Sequence, residues 1–473
     1  MTNLKIIVII SDTLRWDFLG CYGNQWIHTP NLDKFAERSV IFDKAYAGSF
    51  PTIPHRVDLF TGHYCFHTRG WAPIPPEEET FPELLSKAGY YTAMITDTAH
   101  LLRGPYDILR NVNNMGFIKG FQYWEYTRKP LPKSQGDVKV PCSLDKFRFP
   151  KTAKMYPILA ERSEDEYPCA ETMRKAAEWL ENNHDRDNFL LYVDTFDPHE
   201  PWVPPKKYVD LYDPGYEGEI VFAPRYDYSD YLTEAELKHM RALYAGMVTL
   251  VDKWVGFLLD EMEDLGLFGD AAIIFTSDHG FYHGEHGRVG KHTVLKPEDG
   301  WPLYEEVNHI PLIMNLPDMP KGKRCNALVQ PVDLTATILN LAGVPIPKNL
   351  HGQSILPVLY EEKEQIREIA VSSGGPFFQY PQFKLPPHIK HQFVLSPDPK
   401  YVSYSTITDG EWTLIYATEG IPAELYHLPS DPRQENNIIS ENLEVAKNLH
   451  EKFYNFLKNI GTSEELLKLR RKL

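Results

Sequence analysis

Cysteine is scarce in this 473-residue chain: Cys21, Cys65, Cys142, Cys169 and Cys325 are scattered and show no C-x-x-C spacing. An odd, dispersed set supports neither a disulfide framework nor a cysteine-ligated zinc site, and a reducing cytoplasm is the expected location. Apolar runs of membrane-spanning length are also missing. The opening MTNLKIIVII is far too short to cross a bilayer, and no small-residue cleavage site follows it. No long basic block occurs, and 49 basic against 65 acidic residues give a net charge of −16, so neither nucleic acid nor membrane is an expected partner. The acidity serves solubility. No internal repeat is visible. The chain exceeds what one compact core usually holds, which predicts one large domain and a smaller one.

Short apolar runs alternate with amphipathic stretches. Strands are expected at Ile6–Ile10, Tyr90–Ile95, Phe189–Val193, Ala271–Phe275 and Pro311–Met314, and helices at Phe81–Ala88 and Glu234–Leu265. The long helix opens with Thr233 and Glu236 in capping-box spacing and stops near Gly266. Such alternation predicts an α/β fold, a large mainly parallel sheet sandwiched by helices. Two stretches break the rhythm, about Leu102–Tyr156 and Gly374–Lys400, both rich in proline and aromatics. Long excursions of this kind commonly shape a substrate pocket. The predicted division is a catalytic domain over 1–375, a linker over 376–400 and a small C-terminal α+β subdomain over 401–473.

In open parallel sheets, functional groups collect beyond the carboxyl ends of strands. Here IIVIIS runs into Asp12, AAIIFTS into Asp278-His279-Gly280, and FLLYV into Asp194, followed by Asp197, His199 and Glu200. Carboxylates and an imidazole brought together from separate strands suit a divalent metal. The segment Ser49-Phe50-Pro51-Thr52-Ile53-Pro54-His55-Arg56 sets a hydroxyl just ahead of Pro54, a good first-turn residue. Thr52 would then stand at a helix N-terminus, where free N–H groups and the dipole favour an anion, with Arg56 one turn on. Local chemistry alone serves equally for a threonine that merely caps the helix.

These residues also carry a resemblance. Asp12-Thr13-Leu14-Arg15 through Asn24, with Thr29-Pro30-Asn31-Leu32-Asp33, closely resembles the opening of sulfatases in the alkaline phosphatase superfamily. Thr52–Gly62 is similar to their signature, Cys/Ser-x-Pro-Ser-Arg-x-x-Leu-x-Thr-Gly. Thr276–Gly280, Gly284–Gly287 and Gly290-Lys291 resemble their second metal-binding block. Pro331–Leu334, Leu341–Pro345, Trp412–Ile415 and Glu424–Pro432 extend the likeness over nearly the whole chain, in order. By position, the resemblance implies that Asp12, Asp278 and His279 ligate one divalent metal ion (Mn²⁺, Mg²⁺ or Ca²⁺, with Zn²⁺ also admitted), which Thr52 reaches through its hydroxyl. It implies that Thr52 is the nucleophile and that Arg56, Lys291 and His199 meet the anionic group or the leaving oxygen of a small anionic ester. His283, His286 and Asp197 are close enough in sequence to serve a second metal.

The sequence departs from the family pattern at informative positions. Sulfatases convert the signature Cys or Ser to formylglycine, and a threonine cannot yield that aldehyde. Thr13 replaces the second Asp of the usual opening, His55 the signature serine, and Thr96-Asp97-Thr98-Ala99-His100 the usual Gly-Lys-x-His. Because water displaces a phosphoryl-threonine in line more readily than it releases a threonine sulfate, these departures favour phosphorus. The expectation is therefore hydrolysis of a phosphodiester, phosphonate monoester or phosphomonoester through a Thr52 covalent intermediate, ahead of a sulfuric ester hydrolase or a phospho-group transferase.

Overall fold

The computed structural model describes residues 4–102, 116–129, 140–291, 301–319, 321–374, 404–418 and 420–473. The strand Lys5–Ser11 shows why a sheet forms. Its isoleucines and valine are all fully buried, with Ile7 and Ile9 packing into one apolar cluster and Ile6, Val8 and Ile10 into another. Side chains alternate across a strand, so such a run requires cover on both faces. The helices Pro30–Glu37, Pro168–Glu181 and Glu234–Asp264 cover one face. Thr52–Thr61, Phe81–Lys87 and Pro331–Leu341 cover the other.

Among the described residues the sheet has eight strands in the order Lys323–Cys325, Val40–Phe42, Leu312–Asn315, Ala271–Ser277, Lys5–Ser11, Phe189–Thr195, Tyr91–Thr96 and Tyr123–Tyr126. Of these described strands, Leu312–Asn315 alone runs against its neighbours. Lys5–Ser11 lies centrally, parallel to both partners, with Ile10 opposite Asp194 and Ser11 opposite Ser277. That register brings three acidic strand ends to one place. The long helix begins as expected: Thr233 Oγ1 accepts from the Glu236 amide while Glu236 accepts from the Thr233 amide.

The expected α/β sandwich is present, with two differences in detail. The excursion read over Leu102–Tyr156 contains an edge strand, Tyr123–Tyr126, parallel to Tyr91–Thr96; residues 103–115 and 130–139 of it lie outside the described residues, as do 375–403 of the second excursion. The smaller sheet also begins earlier than the boundary at 376. Its order is Glu424–His427, Trp412–Ala417, Tyr404–Thr408, Ala370–Gly374 and Ser49–Phe50, so two strands come from the first 375 residues. Helix Leu443–Asn459 closes it, with Leu449, Phe453 and Leu457 against Val371, Ile407 and Leu414.

Candidate active site

Asp12 and Asp278 follow directly from neighbouring parallel strands, and their oxygens lie within 4.8 Å of each other and of a His279 ring nitrogen. All three side chains are fully buried. The His279 Nδ1 hydrogen-bonds the Gly280 carbonyl at 3.0 Å, which turns Nε2 toward the carboxylates. Thr13, in the left-handed region at φ 63°, gives its amide to Asp278 and its hydroxyl to Asp12. Two buried acids this close repel: burial, then Asp278, pushes Asp12 well above the usual carboxylate range. Asp12 Oδ2 accepts no hydrogen bond. An orphaned oxygen, two crowded acids and a ring nitrogen aimed at them fit a divalent cation.

The helix Thr52–Thr61 aims its N-terminus at this group, with Thr52 Oγ1 3.2 Å from His279 Nε2 and the residue almost fully buried. Arg56 is placed differently from the anion contact that the resemblance implies. Its Nε and Nη2 bond both oxygens of Asp194 at 2.8 and 2.9 Å. Its Nη1 donates to Asp278 at 2.6 Å and to the Thr52 carbonyl at 3.1 Å, and lies 3.2 Å from Asp12. The guanidinium therefore ties three carboxylates together. Asp194 is the residue that the strand-end pattern signalled without revealing its role.

Lys291 is buried and donates to Thr13 Oγ1 at 2.9 Å; burial lowers its pKa against the pull of Asp12 and Glu200. The hydroxyl of Thr13, standing where the family has a carboxylate, thus links Asp12 to this cation. His199 stacks on Phe196 at 4.0 Å and turns Nδ1 to the Glu200 carbonyl at 2.8 Å. Burial and the nearby Lys291 hold His199 well below an ordinary histidine. His100 lies edge-on to Trp71 and Phe196, and burial followed by Arg56 lowers it to about 4. Thr98 reaches Asp194 at 2.6 Å.

The three other ligand candidates lie elsewhere. The His283 Nδ1 faces Arg15 Nη1 at 3.2 Å, His286 stacks on Tyr304 and pairs with Glu306, and Asp197 accepts from the Cys169 amide. Among the described residues, Asp12, Asp278 and His279 are the grouping with metal-ligand spacing.

The sequence profile described as Sulfatase matches residues 5–344, well over half of the chain. The chain belongs to the sulfatase family. A second profile, described as N-sulphoglucosamine sulphohydrolase, C-terminal, matches residues 298–459. Among curated relatives, this sulfatase-family chain is 25% identical to an N-acetylglucosamine-6-O-sulfatase of Bacteroides thetaiotaomicron, over 94% of the chain and 84% of the relative. It is 24% identical to the iduronate 2-sulfatase of Homo sapiens, over 93% and 91%. Its fold matches the phosphonate monoester hydrolase of Agrobacterium radiobacter with a TM-score of 0.74 at 22% identity, over 97% and 96% of the two chains. It also matches a protein solved with its substrate D-glucosamine-2-N,6-O-disulfate, with a TM-score of 0.71 at 21% identity over 99% and 100%.

The sulfatase-family chain is an ester hydrolase, and its family depends on divalent metal. The expectation of a phosphorus ester is corrected by these relatives, whose names are those of sulfatases. The physical reason is that a threonine at residue 52 does not by itself decide the ester class. Sulfate and phosphate esters share a tetrahedral anion and an in-line displacement, so a threonine excludes sulfur only if the threonine itself must be esterified.

Proposed function

We propose that this chain hydrolyses sulfate monoesters of small molecules, splitting them to an alcohol and hydrogen sulfate. The observation that carries the reading is a sulfatase-family chain whose Asp12, Asp278 and His279 converge under the Thr52 hydroxyl at the helix N-terminus. Asp12, Asp278, His279 and the Thr52 hydroxyl would hold a divalent ion, and an oxygen-rich set with one imidazole suits Mg²⁺, Mn²⁺ or Ca²⁺ ahead of Zn²⁺. When bound, such an ion supplies Lewis-acid polarisation of a sulfuryl oxygen.

The protein's own groups divide the remaining work. Arg56 fixes the three carboxylates and thereby the geometry of the ligand set. Lys291, buried and held by Thr13, offsets the charge of the sulfate group. Thr52 orients the attacking water, whose oxygen forms the new bond to sulfur as the bond from sulfur to the leaving oxygen breaks. A single displacement leaves no ester on the protein and needs no aldehyde at position 52. His199 keeps its Nδ1 proton on the Glu200 carbonyl, takes up a proton from solvent at Nε2 and passes it to the leaving oxygen, while the attacking water returns one proton to solvent as hydrogen sulfate forms.

The test offers metal-loaded protein 4-nitrophenyl sulfate, 4-nitrophenyl phosphate, a 4-nitrophenyl phosphodiester and 4-nitrophenyl phenylphosphonate. The sulfate is expected to turn over fastest, with activity lost on chelation and restored by metal. Preference for any phosphorus ester would overturn the reading.

A further inference from the structure

We propose that Arg128 and Arg148 form a second anion-binding subsite beside the sulfate site, selecting sulfate esters whose leaving group carries another negative charge, as an acidic or multiply sulfated sugar does. The inference rests on the sulfate-ester reading and names its substrate class.

Three buried guanidinium groups are saturated by carboxylates. Arg15 pairs with Asp17 and Glu285, Arg56 with Asp12, Asp194 and Asp278, and Arg367 with Asp333. Arg148 is not. Its Nη1 stops 3.6 Å from Glu200 Oε1, an oxygen that already accepts from the Tyr226 hydroxyl, and its Nε is buried with no acceptor. The Arg148 guanidinium carbon lies 4.0 Å from the centre of the Tyr226 ring, a cation–π contact that holds the group without using its N–H donors. Arg128 stands 5.5 Å over the Phe196 ring and makes neither an ion pair nor a hydrogen bond among the described residues.

These contacts form one row. Tyr226 meets Glu200, Glu200 Oε2 lies 3.1 Å from His199 Nδ1, and His199 stacks on Phe196. His199, assigned to the leaving oxygen, therefore sits in the middle, with Arg128 at one end and Arg148, paired at 3.6 Å with Glu200 alone, at the other. Glu200 lies within the row and Asp97, which accepts from the Phe196 amide at 2.7 Å, beside it, against Arg128, Arg148 and the nearby Lys291. Lys291 faces the sulfate, which leaves the two guanidinium groups for the leaving-group side. Both arginines also belong to the causes that, after burial, lower His100. Planar forks held open suit a carboxylate or sulfate, which accept two parallel N–H bonds.

The experiment compares kcat/KM of the metal-loaded full chain on N-acetylglucosamine 6-sulfate, glucosamine 2-N,6-O-disulfate and glucuronate 2-sulfate. At least one of the doubly charged sugars is expected to be preferred about tenfold, and R148Q and R128Q should each erode that preference about tenfold through KM, with R148K keeping part of it. Which doubly charged sugar leads identifies the second group as sulfate or carboxylate. Calorimetry with glucuronate and N-sulfoglucosamine, against glucose, reads the subsite without turnover. Failure to cleave any sulfate would defeat the functional reading alone; binding of an acidic sugar that R148Q weakens would still support the subsite. Equal use of all three substrates, or acidic-sugar binding that folded R148Q and R128Q leave intact, would overturn it.

Discussion

A methyl group separates Thr52 from the serine that sulfatases can oxidise, and the consequence is local. The hydroxyl keeps its place 3.2 Å from His279, but the carbon bearing it cannot become an aldehyde. We expect Thr52→Ala to lower turnover of 4-nitrophenyl sulfate on the order of a hundredfold or more while changing metal affinity little. Intact mass of wild-type protein quenched during turnover should show no sulfated species; a stable adduct at Thr52 would replace the water route by a covalent one. Asp12, Asp278 and His279 were legible in the sequence because each follows a run of apolar residues that can only be a buried strand. The commitments of Arg56 were not, since its partners come from three strands far apart in the chain. Arg128 and Arg148 gave no signal either, standing in stretches without periodicity where no local pattern ranks one arginine above another.

At the scale of elements, the helix Thr52–Thr61 is held from below by Asp58. This fully buried carboxylate accepts from the Ser49 amide at 2.7 Å and the Cys65 amide at 2.9 Å, joining the chain before the helix to the chain after it. Burial pushes its pKa up to about 7 despite those bonds. Asp58→Ala should cost about 3 kcal/mol in urea unfolding, because two buried N–H groups lose their acceptor, and Asp58→Asn distinctly less. Equal loss in both variants would count against this account. The strands read correctly from sequence were the long apolar ones. Val40–Phe42, Lys323–Cys325 and Ser49–Phe50 escaped notice because two or three residues cannot display an alternation, and Tyr123–Tyr126 because an edge strand is only half covered.

For the molecule as a whole, buried histidines set the acid limit. Burial lowers His67 from 6.5 to about 4 and His351 from 6.5 to about 3. A histidine whose folded pKa is depressed stabilises the fold fully above 6.5, and that contribution is lost as pH falls through the folded value. His67 alone accounts for about 3 kcal/mol at most. Asp58 acts in the opposite sense, its contribution fading as pH rises through about 7. Between pH 4 and 6.5 the two histidines outweigh Asp58, so the melting temperature should rise toward pH 6.5, and rise less in His67→Gln; a flat profile from pH 4 to 8 would contradict this assignment.

The two-residue strand Ser49–Phe50 lies immediately ahead of Thr52, yet its partner is Ala370–Gly374, which in turn pairs with Tyr404–Thr408. During synthesis, the metal-binding residues therefore leave the ribosome long before the strands that brace the approach to Thr52. A nascent chain arrested near residue 350 would carry the ligand set without a fixed hydroxyl above it. Hydrolysis should begin only once the sheet containing Ala370–Gly374 and Tyr404–Thr408 has closed, so that a later part of the chain acts as the licence for an earlier one.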